Sequence, residues 1–335
     1  MRAPAFYYRR RGLASFILLP FGIAYGAIAA ARMRRRGTRV GVPVICIGNP
    51  TLGGAGKTPT AIAVAHLLAA MNEKPVFLSR GYGGEDAGPV LVDTAQHSAN
   101  HVGDEPILLS RAYPTVVARD RVAGARLAAG HGASVIIMDD GFQNPSLTKD
   151  MSLLVVDGRS GIGNGEVFPA GPLRAPLHAQ LALAQALVRV GSGKAAAFIE
   201  AQAKAVGLAV TSARLVPDAE TARALKAKKI IAFAGIGRPE KFFETLKALG
   251  AKIVQQRGFP DHHRYTAGEA RELLEAAKSR GLELVTTEKD RARMQDDDAL
   301  TELAATTSVM PVRLEFDNEP AMRDLLESAL AKARG

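Results

Sequence analysis

Beyond residue 40, short apolar runs alternate with longer stretches whose apolar residues recur every three or four positions. The runs "VPVICIGN" (42–49), "PVFLS" (75–79), "PTVVAR" (114–119), "ASVIIMDD" (133–140) and "SLLVVD" (152–157) are continuously apolar. Strands of that kind suit a parallel sheet covered on both faces. Helical patterns lie between several of them, such as "TPTAIAVAHLLAAM" (58–71) and "DRVAGARLAAGHG" (120–132). The alternation restarts with "KIIAFAGIG" (229–237), "RPEKFFETLKALG" (238–250), "AKIVQQRGF" (251–259), "TAGEARELLEAAKSRG" (266–281) and "LELVTTEKD" (282–290). It closes with a last strand, "SVMPVRLEF" (308–316), and a terminal helix, "EPAMRDLLESALAKAR" (319–334). The pattern predicts an α/β fold: a mostly parallel, doubly wound sheet with helices on both faces, then a second, smaller α/β domain. The expected division is 1–37, 38–205 and 206–335, with the second boundary placed only within 190–220.

Residues 1–37 have a different texture. "GLASFILLPFGIAYGAIAAA" (12–31) runs for 20 residues without a charge, about the length that spans a bilayer. Arginines flank it on both sides, which disfavours a cleaved signal peptide. An apolar helix between two basic clusters predicts attachment to an anionic membrane, whether it spans or lies flat. Gly22 and Gly26 form a lone GxxxG, weak evidence for helix dimerisation.

Charge refines this picture. The net charge is +10, and nine arginines within residues 1–39, with no acid, account for nine of it; the rest of the chain carries +1. No basic stripe remains to grip a nucleic acid. The single cysteine, Cys46, has no disulfide partner within the chain, so a reducing compartment and a buried thiol are expected.

The chemistry begins at "TLGGAGKTPT" (51–60), which follows an expected strand and opens an expected helix. That is the setting of a phosphate-binding loop, although the first glycine of G-x-x-x-x-G-K-[ST] is replaced by Thr51. The segment Thr51, Leu52, Gly53, Gly54, Ala55, Gly56, Lys57 and Thr58 is expected to wrap the phosphates of a nucleotide with backbone N–H groups. Lys57 would reach the β- and γ-phosphates, and the Thr58 hydroxyl would hold Mg²⁺. Asp139 and Asp140 end an apolar run, at the strand edge where open α/β sheets bind ligands, and are expected to supply the acidic metal partner.

Taken in order, "GNPTLGGAGKTPT" (48–60), "LSRGYGG" (78–84), "VGDEP" (102–106), "DDGFQN" (139–144), "FPAGPLRAP" (168–176), "FPDHHRYT" (259–266) and "TTEKD" (286–290) resemble the tetraacyldisaccharide 4'-kinases. That family's loop also lacks the first glycine. The resemblance implies a P-loop kinase with a smaller α/β lobe, attached to the cytoplasmic face of the bacterial inner membrane. Its lipid partners would be the inner membrane itself and an acylated glucosamine disaccharide 1-phosphate, phosphorylated by ATP on its 4'-hydroxyl in lipid A synthesis. No obligatory protein partner is expected. Two positions depart from the family pattern: Asn144 stands where DDGFQH has histidine, and Ala175 where GPLREP has glutamate. If that glutamate helps hold Mg²⁺ in relatives, Asp139, Asp140, Glu105 or water must complete the coordination here.

A neutral sugar hydroxyl is a poor nucleophile, and its proton must be accepted as the new bond forms. The resemblance assigns this to Asp104 as base and His262 as its partner, with His263 the alternative histidine. The two lie in different expected domains, so the pair would assemble on cleft closure. Arg80 and Arg174 are candidates for phosphate contacts and Tyr82 for packing on sugar, whereas Glu288 and Lys289 stay undecided. The rival reading is a membrane-bound P-loop ATPase acting as a switch or delivery factor for a protein partner. No obvious N-K-x-D motif supports its GTPase form.

Overall fold

The computed structural model describes residues 4–295 and 297–335. Its strands are β1 (Val44–Gly48), β2 (Pro75–Ser79), β3 (Val90–Leu91), β4 (Thr115–Val117), β5 (Val135–Asp139), β6 (Met151–Asp157), β7 (Ala186–Val190), β8 (Ala209–Pro217), β9 (Lys229–Ala234), β10 (Lys252–Gly258), β11 (Glu283–Thr286), β12 (Thr307–Val309) and β13 (Val312–Phe316). Nine of them form one sheet in the order β13-β8-β7-β6-β1-β5-β2-β4-β3; four form a second in the order β10-β9-β11-β12. The second sheet is parallel throughout, and the first is parallel except for its edge strands β3 and β13.

The continuous apolar runs have the predicted cause. Cys46, Leu78, Met138 and Leu154 pack on one face of the large sheet, and Ile45, Ile47, Phe77, Ile137 and Leu153 on the other. Burial raises the Cys46 thiol to about 11, so it behaves as a small apolar side chain. The register sets Ile47 beside Asp139, which brings the acidic strand end level with the start of the phosphate loop.

The division at 205/206 does not follow the strand pairing. β8 lies parallel to β7, and β13 lies antiparallel to β8, so both belong to the large sheet. The terminal helix Glu319–Arg334 buries Met322, Leu326 and Leu330 in the large sheet's core. The smaller unit is therefore an insertion between β8 and β13. The stretch expected as one strand over 308–316 is two, in different sheets. Pro311, without an N–H to donate, sits between them. Its carbonyl accepts from Asp218 N at 2.9 Å, so the outgoing and returning crossings are bonded together.

The apolar N-terminal segment forms the helix Leu13–Met33, long and apolar enough to cross a membrane by length and composition. Ser15, Gly22, Gly26 and Met33 are its buried residues, a stripe of one helical face. Ser15 Oγ accepts from Asn164 Nδ2 at 3.0 Å. A Cβ on Gly22 would stand 2.8 Å from the Val167 carbonyl oxygen, so the GxxxG face is occupied by the protein's own 167–176 loop. Leu13, Phe16, Ile17, Ile23 and Ile28 project outward, fully three-fifths exposed or nearly so.

Candidate active site

β1 ends at Gly48, and the loop that follows turns into the helix Lys57–Ala70. Gly56, at φ 92°, caps that helix in a left-handed conformation that a side chain would strain. Thr51 needs no such freedom, because it forms a short antiparallel bridge with Leu173 and has no positive φ. Around it Leu52 N donates to Pro172 O at 2.8 Å, and Arg174 Nε donates to Thr51 O at 3.0 Å. Asn49 Nδ2 donates to the carbonyls of Thr51 and Gly53, at 2.6 and 3.0 Å. The loop is thus held from outside, where a first glycine would have shaped it from within.

Arg174 also forms a two-pronged pair with Asp140, at 2.8 and 3.2 Å. Lys57 Nζ lies 3.7 Å from the same carboxylate. Burial pushes the Asp140 carboxyl up, but the Lys57 and Arg174 charges outweigh it and hold it below the ordinary range. Asp140 has φ 50°, a left-handed geometry that aspartate tolerates better than most residues.

Asp139 is different. It is 1% exposed, and neither carboxylate oxygen has a hydrogen-bond partner. Burial, then the neighbouring Glu105 charge, raises it to about 7. A buried anionic acceptor without donors is costly, and a bound cation would satisfy it. Asp139, with Thr58 at the loop's end, therefore fits Mg²⁺. Among the described residues no three His, Cys, Asp or Glu cluster as a ready cation cage. Glu105 is otherwise engaged, with Oε1 accepting from Lys289 Nζ at 2.8 Å. Ala175 is fully buried in the core, and Asn144 Oδ1 accepts from Ser146 N at 2.8 Å within its own turn.

Asp104 opens the helix Asp104–Ser110, with Gly103 before it at φ 93°. A Cβ on Gly103 would stand 2.7 Å from the Tyr82 carbonyl oxygen, so glycine lets the 78–84 loop press against this helix start. Asp104 Oδ2 lies 3.1 Å from His262 Nδ1, so the structure already holds together the pair expected on closure. Oδ1 accepts from Glu105 N at 2.9 Å. Burial pushes the Asp104 carboxyl up, but the His262 hydrogen bond and the charges of Lys289 and Arg293 outweigh it and hold it well below the carboxylate range. His263 is bound to Glu269 at 3.0 Å and stacked on Phe259, away from Asp104. Tyr82 is 68% exposed and meets the His262 ring edge to face at 5.4 Å between centroids. Arg80 is exposed and does not line the cavity between the two units, but is near enough to Arg121 to help burial lower that guanidinium to about 10.

A cavity of about 1050 Å³ lies between the two sheets, lined by Gly54, Lys57, Thr58, Glu105, Gly237 and Met310 among others. That is the size of a site for a nucleotide-sized ligand. Sequence reasoning missed several of the residues around it. Asp157, at the end of β6, pairs with Arg238 at 3.1 Å and with Lys241, both from the smaller unit. Beside the cavity Arg293, also missed, grips Asp104, and Lys289, undecided from sequence, joins Glu105. The sequence offered no signal for these pairs beyond the position of "TTEKD", since each bridges distant segments. Tyr8 was missed too, although a Cβ on Gly53 would lie 4.0 Å from its hydroxyl, so the N-terminal segment reaches the phosphate loop.

Known proteins share the sequence pattern and the fold. The family model described as Tetraacyldisaccharide-1-P 4'-kinase matches residues 14–331. A tetraacyldisaccharide 4'-kinase of Rhodopseudomonas palustris (strain BisB5) is 52% identical over 334 residues, covering 100% of this chain and 98% of the relative. One from Nitrobacter winogradskyi is 51% identical, covering 100% and 99%. The crystal structure of LpxK from Aquifex aeolicus in complex with ATP superposes with a TM-score of 0.73 at 26% identity, over 95% of this chain and 100% of that one. With the family model spanning nearly the whole chain and relatives above half identity along its full length, the chain belongs to the tetraacyldisaccharide 4'-kinase family.

Proposed function

We propose that this protein transfers the γ-phosphate of ATP to the 4'-hydroxyl of an acylated glucosamine disaccharide 1-phosphate, at the cytoplasmic face of the inner membrane. The observation that carries the reading is that the phosphate loop and Glu105 line one cavity, while the adjacent Asp104 is held 3.1 Å from His262 of the smaller unit. A kinase with an alcohol acceptor needs a group to take the hydroxyl proton, and such a pair supplies one.

The loop amides of 53–58 and Lys57 cradle the triphosphate, and the helix that begins at Lys57 favours its charge. Thr58 and Asp139 would hold Mg²⁺, which neutralises charge on the phosphates. The acceptor oxygen forms its bond to phosphorus as the bond to the ADP oxygen breaks. Its proton passes to Asp104, whose Oδ1 keeps a free lone pair beside the Glu105 amide. A carboxylate held low is a weak base, but a loose transition state surrenders the hydroxyl proton late and asks little of it. His262 fixes the carboxylate from the other oxygen. Tyr82 and Arg80, both exposed, face the bulk where an acceptor sugar arrives. Arg174 acts chiefly on the protein, holding Asp140 and the loop.

Membrane attachment follows from the outward apolar face of Leu13–Met33 and the arginines at both its ends. Its opposite face is packed along the body, which favours a helix lying against the protein at the membrane surface. The decisive experiment incubates detergent-solubilised protein with ATP, Mg²⁺ and the disaccharide 1-phosphate, then weighs the lipid. A single phosphate gained on the distal sugar is expected; ATP consumed without phosphorylated lipid would refute the kinase reading.

A further inference from the structure

We infer that Arg293 is the positioning residue for the proton acceptor, and that through it the smaller unit licenses catalysis in the larger. The inference rests on the reading of Asp104 as base. Arg293 follows the helix Glu288–Arg291 of the smaller unit, and its side chain is 5% exposed. Its Nε donates to Asp104 Oδ2 at 2.8 Å, and a second guanidinium nitrogen donates to the same oxygen. The third nitrogen donates to Gly235 O at 2.7 Å and to Asp290 Oδ1 at 3.1 Å. Asp290 is fully buried and also accepts from Gly235 N at 2.8 Å and the Tyr265 hydroxyl at 2.9 Å. His262 N in turn donates to Gly235 O at 3.1 Å.

One rigid fork thus ties three things together. It fixes Asp104 Oδ2, which leaves Oδ1 with the Glu105 amide as its one recorded donor. It fixes the Gly235 peptide, from which His262 hangs. It anchors both to Asp290 in the smaller unit's interior. A planar guanidinium has the donors and the geometry for this, and an ammonium does not. If the smaller unit shifts, Asp104 and His262 lose their common reference. Acceptor geometry is then tied to closure over the nucleotide, which withholds catalysis from an open cleft.

The test compares Arg293→Ala, Arg293→Lys and Asp104→Ala in the full-length protein in detergent. Arg293→Ala should lower kcat about 100-fold, the cost of misplacing a reacting group by about 1 Å. KM for ATP should stay within about threefold, and ethylguanidinium in the buffer should restore part of the rate. Arg293→Lys should keep the fold, as ATP-shifted melting would report, and recover activity only in part. A loss confined to KM for ATP, or wild-type kcat in either Arg293 variant, overturns the inference. If Arg293→Ala does not fold, the kcat of Arg293→Lys decides. Wild-type turnover by Asp104→Ala would instead overturn the base assignment beneath it.

Discussion

Asp104 and His262 stand 158 positions apart in the chain and 3.1 Å apart in space. One opens a helix beside the large sheet and the other sits on a loop of the smaller unit, with φ 56°. The left-handed backbone of His262 is the kind of local strain that functional sites retain.

The two histidines of "PDHH" should separate cleanly under mutation. His262→Ala should lower kcat by about 10- to 1000-fold while ATP binding persists, as expected for loss of a proton-transfer partner. His263→Ala breaks the bond to Glu269 and the stack on Phe259, so it should lower the melting temperature and leave kcat within about threefold. Steady-state kinetics with parallel melting curves checks both, and a reversed ranking would assign the role to His263.

Asp139 predicts a pH dependence of the metal-free protein. Its carboxyl rises from an ordinary 3.8 to about 7 on folding, so between those values the folded state binds more protons than the unfolded. The stability this contributes is complete below the unfolded value and is lost as pH rises through the folded one. Asp139→Asn removes the buried charge. In EDTA at about pH 8 it should melt several degrees higher than the wild type, with the gap narrowing toward about pH 4. Its activity should fall by at least about 100-fold, since the neutral amide is a poor Mg²⁺ ligand. Equal melting at both pH values would mean that Asp139 is already compensated in solution.

Arg174 should resist its conservative replacement. It spans both oxygens of Asp140 and the Thr51 carbonyl, which one ammonium cannot do. Arg174→Lys should therefore raise KM for ATP by about tenfold or more, through a loosened loop. Titration with a fluorescent ATP analogue reports the matching loss of affinity, and unchanged affinity would show that the contacts from Asn49, Pro172 and Leu173 hold the loop without Arg174.

The N-terminal helix should divide by face. Phe16→Glu with Ile23→Glu lies on the outward side and should release the protein from anionic vesicles without changing its melting temperature in detergent. Gly22→Leu lies against Val167 and should lower the melting temperature by several degrees. Vesicle flotation and calorimetry report the two effects. Vesicle binding by the double variant would place the attachment elsewhere.

Local pattern alone determined much of this protein. Short continuous apolar runs read as strands buried on both faces, and the flanking periodicities placed the loop at 51–58 between a strand and a helix. Asp139 was legible as a strand end, since apolar spacing predicts where a strand stops. Tertiary structure decided the rest. Whether 209–217 and 312–316 joined the large sheet or the small one depended on hydrogen-bond partners that no single strand encodes. Gly22 and Gly26 gave only weak evidence for a helix–helix face, and a loop of the same chain fills it. Arg293, Arg238 and Asp157 lie outside every motif, and Lys289 lay within "TTEKD" without an assigned role, because a charge acquires its role only from the partner folded against it. The residues that handle phosphate are close in sequence and were visible there. Those that couple the two units are distant in sequence, and only the fold brings them within reach.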